Sequence, residues 1–262
     1  MLEAMLKAVL EEGGAVNAFK PVGMTSHDVV ALARRESGGA RVGHAGTLDP
    51  AACGVLLLLV GGATKLSKAA TGMPKAYRAE MTFGIRTSTG DAEGEVVETG
   101  GTADGAAVGE EDLLAAAESF KGTIEQTPPM ASAVKVGGRR LYKLAHKGLE
   151  IERPKRKVSV KEIRVIDVYE RDGLRRALLD IECSSGTYIR SLVEDIGASL
   201  GVPACVSFLM RTRVGPFVSD DSVSPERLAG GGLARHAVSL DDFLDIIEGE
   251  RGSRAFREEE AE

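Results

Sequence analysis

Tyr77-Arg78-Ala79-Glu80-Met81-Thr82-Phe83 alternates apolar and polar side chains without a break. A period of two puts Tyr77, Ala79, Met81 and Phe83 on one face of an extended chain and predicts a half-buried strand. Ala177, Leu179, Ile181 and Cys183 repeat the pattern. Val158, Val160, Ile163, Val165 and Val168 follow it only if a bulge or register change falls near Glu162. Helical spacings lie between such strands. One covers Asp112–Phe120 and ends before Gly122; another is the stripe Ile189, Leu192, Val193, Ile196 and Leu200, ended by Gly201. Half-buried alternation suits an antiparallel sheet better than a parallel one, whose strands read as continuous apolar runs. The expected fold class is α+β (mixed α/β), with a mainly antiparallel central sheet flanked by helices.

Outward from these strands, Leu2, Met5, Leu6, Val9 and Leu10 predict an N-terminal helical extension over 1–14, ended by Gly13-Gly14. Thr25 or Ser26 can cap a second helix from Asp28 to about Arg35, which stops at Ser37-Gly38-Gly39. Residues 121–157 carry Pro128-Pro129, Gly137-Gly138 and many Lys/Arg, and read as a loop module inserted into the core. The polar, acidic stretch 248–262 is expected to be a disordered tail. That leaves one catalytic-sized domain over 15–247.

The chain has 262 residues, 43% apolar and 27% charged, which excludes a disordered or collagen-like protein. Val55–Val60 is too short an apolar run to cross a bilayer, and Met1–Leu10 lacks a signal-peptide layout. Three cysteines, Cys53, Cys183 and Cys205, with no CxxC spacing, argue against a disulfide scaffold or a zinc site and fit a reducing cytoplasm. The four histidines are scattered, with no spacing suited to a metal. A net charge of −6 taken alone argues against a nucleic-acid partner. Its distribution reverses the argument. Lys135–Arg164 holds eleven Lys/Arg against three Glu, while Ile85–Ser119 holds nine acids against one Arg. A polyanion responds to the field within a Debye length of about 8–10 Å, not to the total. By itself the basic block is equally a solvated surface hairpin.

Four segments can carry chemistry. In Gly43-His44-Ala45-Gly46-Thr47-Leu48-Asp49-Pro50 an acid stands directly before a proline, which restricts Asp49 to extended or turn geometry. Beside an apolar strand such an acid is desolvated on one side and demands a cation, or else it makes an Asx-turn. Gly61–Lys65 has the composition of a phosphate loop without its spacing. Lys20-Pro21-Val22-Gly23 puts a cationic side chain near a turn, or is an ordinary strand-to-helix loop. Tyr77 is a core aromatic or a base-stacking platform. In Cys183-Ser184-Ser185-Gly186-Thr187-Tyr188-Ile189-Arg190 an arginine falls in the first turn of a helix, unfavourably for the helix dipole unless a carboxylate pairs with it. Asp49 is the natural candidate, since a bidentate Arg–carboxylate pair holds a poorly solvated acid ionised.

These segments, with Thr87–Gly94, Pro128-Pro129-Met130, Ser132–Gly138 and Arg211-Thr212-Arg213-Val214-Gly215, resemble in order the motifs of the TruB-type tRNA pseudouridine synthases. The likeness covers roughly residues 16–217, and its most specific part is Gly43–Pro50. It implies the pseudouridine synthase fold and cofactor-free isomerisation of a uridine in the T-arm loop of tRNA, at the position conventionally numbered 55. It implies a cytoplasmic monomer that needs no protein partner and no membrane. It also implies that Asp49 is the nucleophile, Arg190 its salt-bridge partner, and Tyr77 the ring stacked on the flipped uracil. His44 would support the extruded loop bases, Lys20 would organise the site, Leu209 would line the pocket and Asp91 would meet a flipped nucleotide. The basic block coincides with the family's RNA-clasping insertion, so Lys135, Arg139 and Arg140 are expected phosphate contacts. Cys53 and Ser185 stand where threonine and lysine are commoner in the family, and no complete PUA domain is expected at the C-terminus. Competing readings are a tRNA-folding or binding factor in which catalysis is dispensable, a guide-RNA-dependent synthase and, last, a hydrolase using Cys53.

Overall fold

The structure is a computed structural model describing residues 12–100, 108–130, 132, 135–136, 139–140, 149 and 151–259. In chain order the elements are β1 (Gly13–Lys20), α1 (Ser26–Glu36), β2 (Val42–His44), β3 (Cys53–Gly61), a 3₁₀ turn (Gly62–Leu66), α2 (Ser67–Gly72), β4 (Lys75–Phe83), β5 (Ile85–Thr87) and β6 (Val96–Thr99). Next come α3 (Glu110–Ser119), β7 (Gly122–Gln126), β8 (Lys135–Val136), β9 (Arg139–Arg140), β10 (Arg156–Arg171), β11 (Leu174–Cys183) and α4 (Ile189–Ser199). The chain ends with β12 (Ala204–Val214), β13 (Phe217–Val218), a 3₁₀ turn (Ser219–Asp221), α5 (Pro225–Leu228), α6 (Gly232–Arg235), β14 (Ala237–Ser239) and α7 (Leu240–Glu259). The described residues of 1–75 and 210–262 form one compact unit, and those of 76–209 form a second.

In the first unit the strand order is β14-β1-β3-β12, with β13 on β12 and β2 on β3. β1 runs antiparallel to β3 along its whole length, from Gly13 opposite Gly61 to Lys20 opposite Gly54. The far edge of β3 is shared. β2 pairs with Leu58–Val60, and the C-terminal half of β12 pairs in parallel at Cys53 and Gly54. Leu57 and Leu59 face Phe243 and Ile247 of α7, while Leu56 and Leu58 face Val29, Val30 and Ala33 of α1. Burial on both faces explains why β3 reads as a continuous apolar run rather than as alternation. Gly54 is required where β12 docks. Its φ is +107°, and a Cβ there would stand 2.2 Å from the Arg211 carbonyl oxygen. Thr25 caps α1 through a capping box with Asp28, fixing the chain entering that helix.

In the second unit the order is β12-β4-β11-β10-β7, with the N-terminal half of β12 taking part. The expected alternation holds. Ala79, Met81 and Phe83 of β4 and Ala177, Leu179 and Ile181 of β11 meet Leu113 and Ala117 of α3 and Leu192, Val193 and Ile196 of α4. Each large aliphatic side chain buried there is worth roughly 1.5–3 kcal/mol. The opposite face is polar. Glu80 accepts hydrogen bonds from Ser207 and Tyr169 and pairs with Arg176 at 2.7 Å. The sheet pairing is mainly antiparallel, as expected, while β12 pairs with β3 in parallel.

Three expectations change and one is extended. Gly13 and Gly14 belong to β1 rather than to the end of a helix, and the rest of the expected N-terminal helix lies outside the described residues. β10 has the register shift expected near Glu162 and a second between Val165 and Asp167. The insertion is shorter than 121–157, because Gly122–Gln126 form edge strand β7, pairing with Arg156–Val160 of β10. Its exposed alternation of Thr123 and Glu125 hides it from an apolar pattern. Residues 248–259, expected to be disordered, continue α7. Phe243 and Ile247 anchor that helix, and the good helix formers Glu, Arg and Ala extend it. Cys53, Cys183 and Cys205 are buried. No described helix is long and apolar enough to cross a membrane.

Candidate active site

In the first unit, Asp49 sits half-buried on the loop between β2 and β3, and neighbouring backbone groups are held on both sides of it. Upstream, Ala45 donates to the Leu57 carbonyl at 2.9 Å. Buried Ser26 makes a reciprocal pair with Leu48, accepting from its N–H at 2.9 Å and donating to its carbonyl at 3.0 Å. Downstream, the Pro50 carbonyl accepts from Gly23 N–H at 2.9 Å and from Lys20 Nζ at 3.2 Å. Lys20, at the end of β1, is fully buried and also donates to the carbonyls of Pro21 and Met24. An ammonium in such a place would be costly without acceptors, and these carbonyls supply them. Lys20 therefore ties the turn after β1 to the turn that carries Asp49.

His44 ends β2, and its ring meets His27 edge-to-face with centroids 6.3 Å apart. Burial, then the neighbouring His27 and Arg211, push its imidazole below the ordinary histidine value, against an opposing contact with the Gly46 backbone. The stability consequence has a definite sign. In the window between the lowered native value and the unfolded value of about 6.5, the unfolded chain binds more protons. The contribution is thus complete above that window and lost as pH falls through it. His44→Gln is expected to show a smaller drop in melting temperature than wild type between pH 7.5 and pH 5, measured by thermal unfolding in matched buffers.

In the second unit, Arg190 is the second residue of α4, where the tight turn after β11 ends. Gln126 of β7 clamps that turn, accepting from Tyr188 N–H at 3.0 Å and donating to the Tyr188 carbonyl at 3.2 Å. Arg190 Nη1 donates to the Thr89 carbonyl at 2.7 Å and lies 3.5 Å from Asp91 Oδ2, with Arg190 buried and Asp91 partly buried. Asp91 Oδ1 accepts from Thr89 Oγ1 at 2.6 Å and Glu93 N–H at 3.1 Å. The Asp91 loop is laced onto β12 by Val206 N–H to Gly90 O and Ala92 N–H to Val206 O, both 3.0 Å. Gly90, at φ +76°, leaves no slack, since a Cβ would stand 3.3 Å from Arg190 Cβ. An arginine in this first turn does pair with a carboxylate, and Asp91 supplies one. Tyr77 of β4 and Leu209 of β12 are partly buried against the same core.

Lys135, Arg139 and Arg140 lie on the paired strands β8 and β9; their side chains are outside the described residues. Three site residues were assigned no such role from the sequence. They are Ser26, which resembles any helix-start serine; Gln126, which hides in a polar edge strand; and Arg211, a charge inside a strand. Among the described residues no cluster of three or more His, Cys, Asp or Glu could hold a metal ion.

Residues 34–189 match the family model for the TruB family pseudouridylate synthase N-terminal domain, more than half of the chain. The chain belongs to the TruB family. Residues 190–249 match the family's tRNA pseudouridylate synthase B C-terminal domain model, so the segment from α4 into α7 belongs to the family pattern as well. Among the relatives, tRNA pseudouridine synthase B of Symbiobacterium thermophilum is 49% identical over 232 residues, covering 88% of this chain and 76% of that protein. The enzyme of the same name from Moorella thermoacetica is 50% identical over 217 residues, covering 83% and 70%. Among solved structures, a chain of a Cbf5–Nop10–Gar1 complex superposes with a TM-score of 0.65 at 28% identity, covering 92% of this chain. A chain of an H/ACA RNP bound to a substrate RNA containing 2′-deoxyuridine gives 0.63 at 25%, again over 92% of this chain. The TruB chain spans 63% and 62% of those two chains, less than two thirds of each.

Proposed function

We propose that this protein converts one uridine in the T-arm loop of tRNA, at position 55, to pseudouridine, acting without a protein partner. The observation that carries the reading is the Asp49 loop. In a chain of the TruB family, with relatives named tRNA pseudouridine synthase B, buried donors hold the residues on either side of this acid. A carboxylate so placed approaches its target without first having to be ordered.

The target base leaves its stack at a cost of a few kcal/mol, offset by phosphate contacts such as those proposed for Lys135, Arg139 and Arg140. On the sugar route, glycal formation takes the C2′ proton and breaks the N1–C1′ bond, and the Asp49 carboxylate then adds to C1′ as that proton returns. On the base route Asp49 adds to C6 and the N1–C1′ bond then breaks. The uracil rotates, a C5–C1′ bond forms, and the Asp49 carboxylate is released. C5 loses its proton and N1 ends protonated, so all atoms of the substrate remain in the product apart from exchange with water. In this reading Arg190 keeps Asp49 ionised, and Tyr77 stacks on the uracil and assists removal of the C5 proton. His44 supports the everted loop, Leu209 lines the pocket, and Asp91 meets a flipped nucleotide while steadying Arg190. Shielding from water keeps the detached base from escaping.

The C5 proton provides the test. A T-arm stem-loop transcript carrying tritium at uridine C5 should release close to one tritium per molecule on incubation with the protein. A stem-loop with cytidine at the target position should release none. Absence of release from the uridine substrate would overturn the reading.

A further inference from the structure

Arg211 is the largest of the fully buried side chains in the described residues, at 1% exposure. Burying a guanidinium is costly, and an apolar side chain would fill the same volume more cheaply. Its hydrogen bonds show what it supplies. Nε donates to the Val55 carbonyl on β3 at 2.8 Å, and Nη2 donates to the Gly46 carbonyl on the Asp49 loop at 3.0 Å. The Arg211 backbone is itself registered on β3 opposite Gly54. The guanidinium therefore joins the loop to the rigid central strand three residues before Asp49. Gly46 turns there at φ +99°, and a Cβ on it would stand 3.5 Å from Arg211 Nη1, so the loop backbone rests directly on the planar group. Ser26 and Lys20 hold Leu48 and Pro50, and Arg211 holds the upstream end of the same span.

We infer that Arg211 is a positioning residue for the isomerisation: its fork fixes the loop that presents Asp49 by tying the Gly46 carbonyl to β3. The inference rests on the proposed function. It assigns a role to a side chain that need not touch RNA. Lysine cannot replace it, because one ammonium on a flexible stem does not reproduce a planar fork spanning two carbonyls. The same charge helps keep the neighbouring His44 neutral, which offers an independent readout of the tie.

The test compares full-length wild type, Arg211→Lys and Arg211→Met. The measurements are single-turnover pseudouridine formation on a T-arm stem-loop, RNA affinity, melting temperature and the His44 imidazole titration by NMR. A displaced reacting group costs up to about a hundredfold in rate. Both variants are therefore expected to fall more than about tenfold in the rate constant, with affinity changed by less than about threefold. The His44 value should rise in Arg211→Met and stay low in Arg211→Lys. A folded Arg211→Lys with the wild-type rate overturns the inference, as does a rate loss matched by an equal loss of affinity with His44 unmoved in Arg211→Met. If Arg211→Met does not fold, the rate of Arg211→Lys decides. A wild-type protein that makes no pseudouridine refutes the functional reading instead, a separate outcome visible in the same assay.

Discussion

Asp49→Asn should lower product formation by about four orders of magnitude or more, the scale on which loss of a covalent nucleophile is felt. Affinity for the T-arm stem-loop should stay within about threefold, because the substitution leaves the phosphate contacts proposed for Lys135, Arg139 and Arg140 in place. The fold should survive as well. The loop is held through the backbone of Ala45, Leu48 and Pro50 by groups that the substitution leaves in place. Rate and affinity are separable by single-turnover kinetics beside a binding isotherm. A large loss of affinity would place Asp49 in binding rather than chemistry. A phenotype fully restored by this variant would favour the RNA-folding reading.

The second large effect is expected at Arg190. Arg190→Met leaves the largely desolvated Asp91 carboxylate with Thr89 Oγ1 and Glu93 N–H but without the guanidinium. Breaking a buried pair from one side costs roughly 3–5 kcal/mol. Unfolding by urea should report about 3 kcal/mol of lost stability, and pseudouridine formation should fall by about a thousandfold or more if the same guanidinium also serves Asp49. The double variant Arg190→Met with Asp91→Asn should recover part of the stability without recovering activity, since the orphaned charge is then gone. Strictly additive losses of stability would show that the pair is not coupled.

Much of this architecture is legible in the residues. Alternation identifies β4 and β11, the i, i+3, i+4 stripe identifies α4, and Ser37-Gly38-Gly39 marks where α1 stops. What escapes inspection has physical causes. β7 is a polar edge strand, so its pairing with β10 leaves no apolar period. The helix over 248–259 follows a buried anchor, Phe243 and Ile247, rather than the acidic composition around it. Asp49 is conspicuous because proline follows it. Its supports are not, since Ser26, Lys20 and Arg211 act through backbone carbonyls and amides that no side-chain motif records. Arg190 announces a need for a carboxylate through its place in a first helical turn. Asp91 meets that need from a loop ninety-nine residues earlier in the chain, a distance no local pattern spans.

The most direct test of the central claim is to treat unmodified tRNA with wild type or Asp49→Asn and map the base adducts that remain stable after carbodiimide modification and alkaline treatment. The account predicts one new stop, in the T-arm loop, made by wild type and absent with Asp49→Asn. A stop made equally by Asp49→Asn, or wild-type stops only outside that loop, would contradict it.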